Sequence, residues 1–391
     1  MQVEINLKIM QYSTYICGNA VVKFSEFKTG KSNGEINAIA AVSDISAAFQ
    51  DQLKFIVESL SAFQHSDCAR GYVPVAARII LSDASNQAAA ALPALRAVLG
   101  NAAVSYVQQA PMNYAKLAVL VYLQENAVPR RLDDNTVMVE RNGFCHYFSA
   151  SVVSSLGNPY SETACQLGYL ENMLLGRKLN IADNCVRTWF FVQNIDVNYG
   201  DVVRARRENF DLNGLTVDTH YIASTGICGR HACKDVTSIL DAYSIGGIVP
   251  GQMNYLYAAD NMNRTSDYGV TFERGTYVDF ADRREIFISG TASINNRGEV
   301  VAEGDIKAQT FRMIENVEAL LGEAGASLGD IAHIVCYLRD SADYPVVSGI
   351  FASRFGDMPY VITLASVCRP GWLIEMECVA VAARESAFGE F

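Results

Sequence analysis

The sequence has no excess of basic charge and no basic run: 31 Lys and Arg stand against 42 Asp and Glu, a net charge of -11. That removes the electrostatic basis for general nucleic-acid binding. Any anion the protein binds must be met by a few local arginines. Long apolar runs are also missing. Ala38 to Val42 and Lys116 to Leu123 fall far short of the roughly 18 to 20 residues that a membrane span needs. Met1 to Met10 alternates polar and apolar residues, without the basic region, apolar block and small-residue cleavage site of a leader. The expectation is a cytoplasmic protein with no membrane contact. Proline is scarce, 9 in 391 residues with 28 glycines, which leaves little room for a long flexible linker. At roughly 100 to 200 residues per domain, the length implies two or three packed units. No Gly-rich phosphate loop, H-E-x-x-H or G-x-S-x-G string occurs. Cys228, His231 and Cys233 are suggestively spaced but have no fourth ligand nearby, so neither a metal nor a cofactor is expected.

Cysteine, by contrast, is plentiful, with 10 in the chain. Most sit inside apolar runs such as Val335-Cys336-Tyr337 and Glu377-Cys378-Val379, which reads as buried reduced thiols rather than a disulfide framework. His146 and His333, amid apolar neighbours, read as core histidines.

Internal repetition is present as well. Thr163 to Tyr199 and Ile306 to Tyr344 share a helical stretch with Gln166 or Gln309 and then Glu-Asn at 171–172 or 315–316. Each continues through a Gly-containing break and an Asp into a β-branched and aromatic run, Val186 to Val192 or Ile331 to Leu338. A second helix and another strand follow each. A fainter copy upstream comprises Phe49 to Phe63, Val75 to Leu81, Gln87 to Leu99, Ala103 to Val107 and Lys116 to Leu123. Three copies of an α+β unit, a sheet with two helices on one face, are therefore expected. Their bounds are 1–130, 131–248 and 249–391, with an insertion at about 250–282 in the last.

Ser289-Gly290-Thr291, Arg297-Gly298-Glu299-Val300, Glu315-Asn316-Val317, Tyr337-Leu338-Arg339-Asp340 and Ile374-Glu375-Met376-Glu377 together resemble the Rid/YjgF family. That resemblance implies a chorismate-mutase-like α+β fold, which single-copy members assemble into trimers with clefts between subunits. One chain with three copies is then an intramolecular pseudo-trimer and is expected to be a monomer. A narrower resemblance rests on His220-Tyr221-Ile222-Ala223-Ser224-Thr225-Gly226, on Asp267-Tyr268-Gly269-Val270-Thr271-Phe272-Glu273-Arg274-Gly275-Thr276 and on Val367-Cys368-Arg369-Pro370-Gly371-Trp372. It is similar to the chorismatase family. The resemblance implies a cofactor-free enzyme that removes pyruvate from chorismate, with Glu375 as proton donor. In the imine deaminases of the wider family, an arginine about fifteen residues before that glutamate binds the substrate carboxylate; here the position is Tyr360, which counts against deaminase chemistry. A Rid-type deaminase and a catalytically silent ligand-binding module are the alternatives.

The residue types suit the chemistry. Chorismate carries two carboxylates and an acid-sensitive enol ether. Glu375 and Glu377 lie two apart in a strand and share a face, so burial and mutual repulsion should keep a proton on one of them near neutral pH. Arginine matches a carboxylate with two parallel hydrogen bonds. Arg369, Arg274 and Arg230 are the leading candidates, with Tyr221, Tyr268 and Tyr360 as hydroxyl donors and Glu377 as a further substrate contact. Cys368, seven residues before Glu375, resembles a position that divides the chorismatase subtypes. A cysteine there crowds water more than alanine does, which points to 3-hydroxybenzoate rather than a dihydrodiol acid as product.

Overall fold

The computed structural model describes residues 10–391, with the side chain of Tyr268 outside that description. Residues 1–9, on which most of the leader reading rests, also lie outside it. The first sheet holds β1 (Gln11–Cys17), β2 (Ala20–Phe27), β3 (Glu35–Val42), β4 (Tyr72–Leu81), β5 (Ala103–Gln108) and β6 (Leu117–Glu125), covered by α1 (Phe49–His65) and α2 (Ala84–Leu99). The second holds β7 (Arg130–Arg131), β8 (Thr136–Arg141), β9 (Phe144–Val152), β10 (Cys185–Val192), β11 (Ala223–Cys228) and β12 (Ser238–Gly246), with α3 (Pro159–Leu175), the short α4 (Ile181–Asn184) and α5 (Ile195–Leu212). The third holds β13 (Met253–Leu256), β14 (Gly275–Asp279), β15 (Arg283–Ala292), β16 (Ile331–Leu338), β17 (Tyr360–Leu364) and β18 (Ile374–Ala383), with α6 (Ile306–Glu323) and α7 (Tyr344–Phe355). All three sheets have one strand order, in which the sixth strand lies between the third and the fourth and the fifth forms an edge. The fourth and fifth strands are parallel in each, β4 to β5, β10 to β11 and β16 to β17. The fold is α+β with three Rid-like units.

A glutamine in the first helix of each unit explains part of the recurrence. The side chain of Gln52 accepts from the Lys116 N–H at 2.9 Å, Gln166 donates to the Ser238 carbonyl at 2.7 Å, and Gln309 accepts from the Leu373 N–H at 3.0 Å. Each ties its helix to the start of the sixth strand and satisfies backbone that the ladder leaves open.

The insertion in the third unit is shorter than its sequence suggests. The ends of 250–282 form β13 and β14, which pair as β1 and β2 do, and the added chain is the segment 257–274 between them. Of the ten free cysteines, only Cys185, Cys336 and Cys378 are fully buried, while Cys68, Cys165 and Cys233 are exposed. A cysteine in an apolar run of a strand alternates with core positions and reaches the surface at strand ends and on helices. Among the described residues no helix is long and apolar enough to cross a membrane.

The faces of the sheets turned away from the helices converge on a common axis. A cavity of about 140 Å³ there is lined from all three sheets, by Arg78 and Tyr122, by Arg187 and Asp241, and by Glu285 and Glu377. Edges close the ring: Gln108 bridges Arg230, Ile227 bridges Val367 and Pro111 bridges Thr363. Each unit thus meets the next along a cleft.

Candidate active site

Glu375 and Glu377 project from the axial side of β18. Ile374, Met376 and Cys378 on the opposite side belong to the helix-covered core. The two carboxyls end in different surroundings. Glu377 faces the axis. Its Oε2 accepts from Arg187 Nη2 at 2.8 Å and from the Thr225 hydroxyl. Its Oε1 accepts from Trp189 Nε1 at 3.0 Å, from the Tyr337 hydroxyl at 3.0 Å and from Arg78 Nη1 at 3.4 Å. These donors come from β4, β10, β11 and β16. Read from sequence as a substrate contact, Glu377 lines the axial cavity instead and is occupied by protein donors on both oxygens.

Glu375 faces the cleft between the second and third units. Its Oε1 lies over the Cα of Gly290, where a Cβ would collide with it, so any larger residue at this position would displace the carboxyl. The cavity before it, of about 430 Å³, is lined from α5 and β11 on one side and from β15 and the 368–375 segment on the other. Burial pushes the Glu375 carboxyl up to about 8, with the charge of Glu377 adding to the effect and Arg187 and Arg274 opposing it. The remaining charged liners are Arg204, Arg207, Arg274 and Arg369. One neutral acid therefore sits among four cations. That arrangement can protonate a dianionic ligand while holding its charges.

Of the residues singled out in the sequence, Cys368, Arg369 and Arg274 line this cavity with Glu375. Arg274 donates to the Asn263 carbonyl at 3.0 Å, which anchors the 257–274 segment over the cleft. The Arg369 guanidinium lies 5.2 Å from the Trp372 ring. Desolvation, with Glu375 nearby, pushes the Cys368 thiol up to about 12, so it stays a neutral, weak donor.

Three others lie elsewhere. Arg230 is exposed, and its backbone pairs with Gln108 at the cleft between the first and second units. Tyr221 is buried against Phe210, its N–H donated to Glu273 at 2.9 Å. Tyr360 packs on Phe351, with Lys23 of the first sheet 5.6 Å from its ring, at the cleft between the third and first units. Nearness in sequence to a family motif placed them near the site; the strand edges separate them. The side chain of Tyr268 lies outside the described residues.

The register locates the family's arginine position in this cleft. Tyr360 pairs with Ile334 as Ser224 pairs with Thr188, and it is Ser224 that lines the cavity. Neither is arginine. Sequence reading also passed over α5, whose Arg204-Ala205-Arg206-Arg207 string supplies the cavity's second cationic wall. Arg206 stands behind it, fully buried, donating to Thr271 at 3.1 Å and Ser224 at 3.4 Å, with Nη2 unpartnered. A cluster of three arginines within four residues of an amphipathic helix was the available signal.

Within the third unit, residues 273–382 match the family model described as Endoribonuclease L-PSP. A RutC family protein of Pyrococcus abyssi is 38% identical over 97 residues, 24% of this chain and 76% of that protein. The chain belongs to the RutC family. The 3-aminoacrylate deaminase RutC of Acinetobacter baylyi is 34% identical over 98 residues, 24% of this chain and 77% of that enzyme. Over 79% of its length this RutC-family chain has the fold of a chorismatase crystal structure, with a TM-score of 0.63 at 17% identity, covering 93% of that structure.

Proposed function

We propose that the chain is a chorismatase, cleaving the enolpyruvyl ether of chorismate to pyruvate and, by an intramolecular course, 3-hydroxybenzoate. The observation that carries this reading is Glu375: a buried carboxyl raised to about 8, in a cleft whose other charged liners are all arginines. The likeness to the chorismatase fold supports it. Glu375 gives its proton to the terminal methylene carbon of the enol ether, forming a C–H bond. The adjacent carbon becomes an oxocarbenium centre, facing the carboxylate that Glu375 has become. Capture by water, whose proton returns to Glu375, gives a hemiketal that collapses to pyruvate and a dihydroxycyclohexadiene carboxylate. The intramolecular course takes up no water and yields pyruvate with 3-hydroxybenzoate. Arg274 and Arg369 hold one carboxylate, and the α5 arginines face the other. The three units cover one another's inner faces within one chain, which supports a monomer as the working form.

Imine deamination is the second reading, favoured by the RutC-family relatives. It lacks its carboxylate arginine at both Ser224 and Tyr360. Purified protein is mixed with chorismate, and pyruvate is read through lactate dehydrogenase. Stoichiometric NADH loss is expected. No pyruvate from chorismate, with ammonia released from an imine, would move the assignment to the deaminase.

A further inference from the structure

The cleft has a conflict built into it. Arginines that hold a substrate's carboxylates also favour the ionised form of any nearby acid, and so work against a proton donor in the same cavity. Arg187 and Arg274 are the cations whose charge bears on Glu375; Arg369, Arg207 and the exposed Arg204, which pairs with Asp201 at 3.0 Å, line the same cavity, with Cys368 and Tyr199. Burial alone opposes this row of cations on the cleft side. Among the described residues, the carboxylate whose charge bears on it is Glu377, two residues along the strand and therefore roughly 6 to 7 Å away along the same face.

Glu377 is built as an anion. Arg78, Arg187, Trp189, Thr225 and Tyr337 all donate to it, an arrangement that uses acceptor sites on both oxygens and leaves no place for a proton. Other titratable groups around the same axial space are Glu35, Tyr122, Asp241, Tyr243, Glu285 and His333. Thr225 ties the two acids together. Its hydroxyl donates to Glu377 while accepting the Gly290 N–H at 2.8 Å, and Gly290 is the residue over which Glu375 lies.

We propose that Glu377 is a positioning residue, an axial anion assembled by all three units, whose charge holds the proton on Glu375 against the arginines of the cleft. This rests on the chorismatase reading and deepens it. It also gives the first two units a part in the chemistry. The first supplies Arg78 from β4 and the second Arg187 and Trp189 from β10, so the site draws on strands that do not line the cleft cavity.

The test is the pH profile of pyruvate release by wild type, Glu377→Gln and Glu377→Asp. Loss of the anion should move the alkaline limb of kcat/KM toward acid by about one unit or more, with kcat on the acid side and KM within about threefold of wild type. The aspartate variant should restore most of the limb. An unshifted limb, or a loss equal at every pH, overturns the proposal. Should Glu377→Gln not fold, the Glu377→Gln/Arg187→Gln pair removes the anion with its ion-pair partner. Its limb must move the same way by less, because Glu377 acts on Glu375 more strongly than Arg187 does; no movement overturns the proposal. Carbon-13 spectra of glutamate-labelled protein without substrate read the same shift at the Glu375 carboxyl, assigned by its loss in Glu375→Gln. A wild type that releases no pyruvate while this shift is present would sink the chorismatase reading and leave the axial anion standing.

Discussion

Three clefts of one construction differ instructively at two register-equivalent positions. Register equates Tyr337, Phe191 and Ile80, whose partners on the sixth strands are Glu375, Ile239 and Ala118. One residue earlier, Cys336, Phe190 and Ile79 pair with Ile362, Gly226 and Tyr106 on the fifth strands. Bulges fall at matching places, before His333, Arg187 and Ala76, which fixes the alignment. The cleft between the second and third units therefore combines Gly226 with Glu375. The cleft between the first and second combines Tyr106 with Ile239, and the one between the third and first combines Ile362 with Ala118. All four of these last residues are buried. In the first of those two clefts Tyr106 packs at a tilt against His231 with ring centroids 4.7 Å apart, and a Cβ on Gly229 would come within 2.6 Å of Val107. Repetition supplied three clefts of one construction, and side-chain volume at these positions separates the one that holds Glu375 from the other two.

Removing the acid should break the comparison most completely. Glu375→Gln keeps the shape but has no proton to give, so pyruvate release should fall by about 10² to 10⁴. Retention of more than about a tenth of kcat, a barrier change below ~1.4 kcal/mol, would show that the acid lies elsewhere. The same substitution has an opposite signature in stability. Glu375 binds its proton more tightly folded than unfolded, so its stabilising contribution is complete below about 4.5 and is lost as pH rises through about 8. Melting of wild type should weaken across that window relative to Glu375→Gln, and the gap should be widest above it. Parallel curves would mean that the carboxyl is not raised.

Filling the open cleft should come next. Gly226→Tyr gives it the residue its neighbour has at Tyr106. A Cβ there already lies 2.6 Å from the Tyr199 ring, and the side chain would enter the cavity. Turnover should drop by about 10² with the melting transition retained. Undiminished kcat/KM would place the reaction outside this cavity.

These two residues also mark what sequence alone can give. The α+β units were readable because their strands and helices repeat in order, and the Glu-x-Glu pair on β18 was readable because period two puts both acids on one face. Their separate destinations, cleft for Glu375 and axis for Glu377, depend on which neighbouring sheet edge stands opposite, and that is a tertiary fact. The same limit placed Tyr360, Tyr221 and Arg230 away from the Glu375 cavity and hid Arg204 and Arg207, which line it because the second unit's edge lies against the third. Gln52 shows a local limit: its role matches that of Gln166 and Gln309, but the surrounding residues of the first unit have diverged too far to show it.

The arginines sharpen the comparison by smaller steps. Arg274→Ala and Arg369→Ala each remove a charged donor from a largely desolvated wall, a loss of about 1.5 to 3 kcal/mol, or roughly tenfold to a hundredfold in kcat/KM. Arg230→Ala, at the cleft between the first and second units, should change it by less than about twofold. Equal effects at all three positions would remove the distinction between the clefts.

The smallest expected effect is on product rather than rate. Cys368 lines the cavity with Glu375, and its thiol, pushed up to about 12, remains neutral while the acid cycles. Its bulk occupies space that a nucleophilic water needs beside the oxocarbenium centre, and its S–H can orient a ring oxygen but is a weak donor. Trimming it to alanine opens that space without touching the proton donor, so turnover should stay within about threefold while the partition changes. Wild type should give chiefly 3-hydroxybenzoate, and Cys368→Ala a larger fraction of the dihydrodiol acid, both resolved by chromatography of the same reaction. The pyruvate yield should be unaffected, because both courses release it. A wild type that already forms mainly the dihydrodiol acid, or an alanine variant with an unchanged ratio, would show that residue 368 does not control the partition.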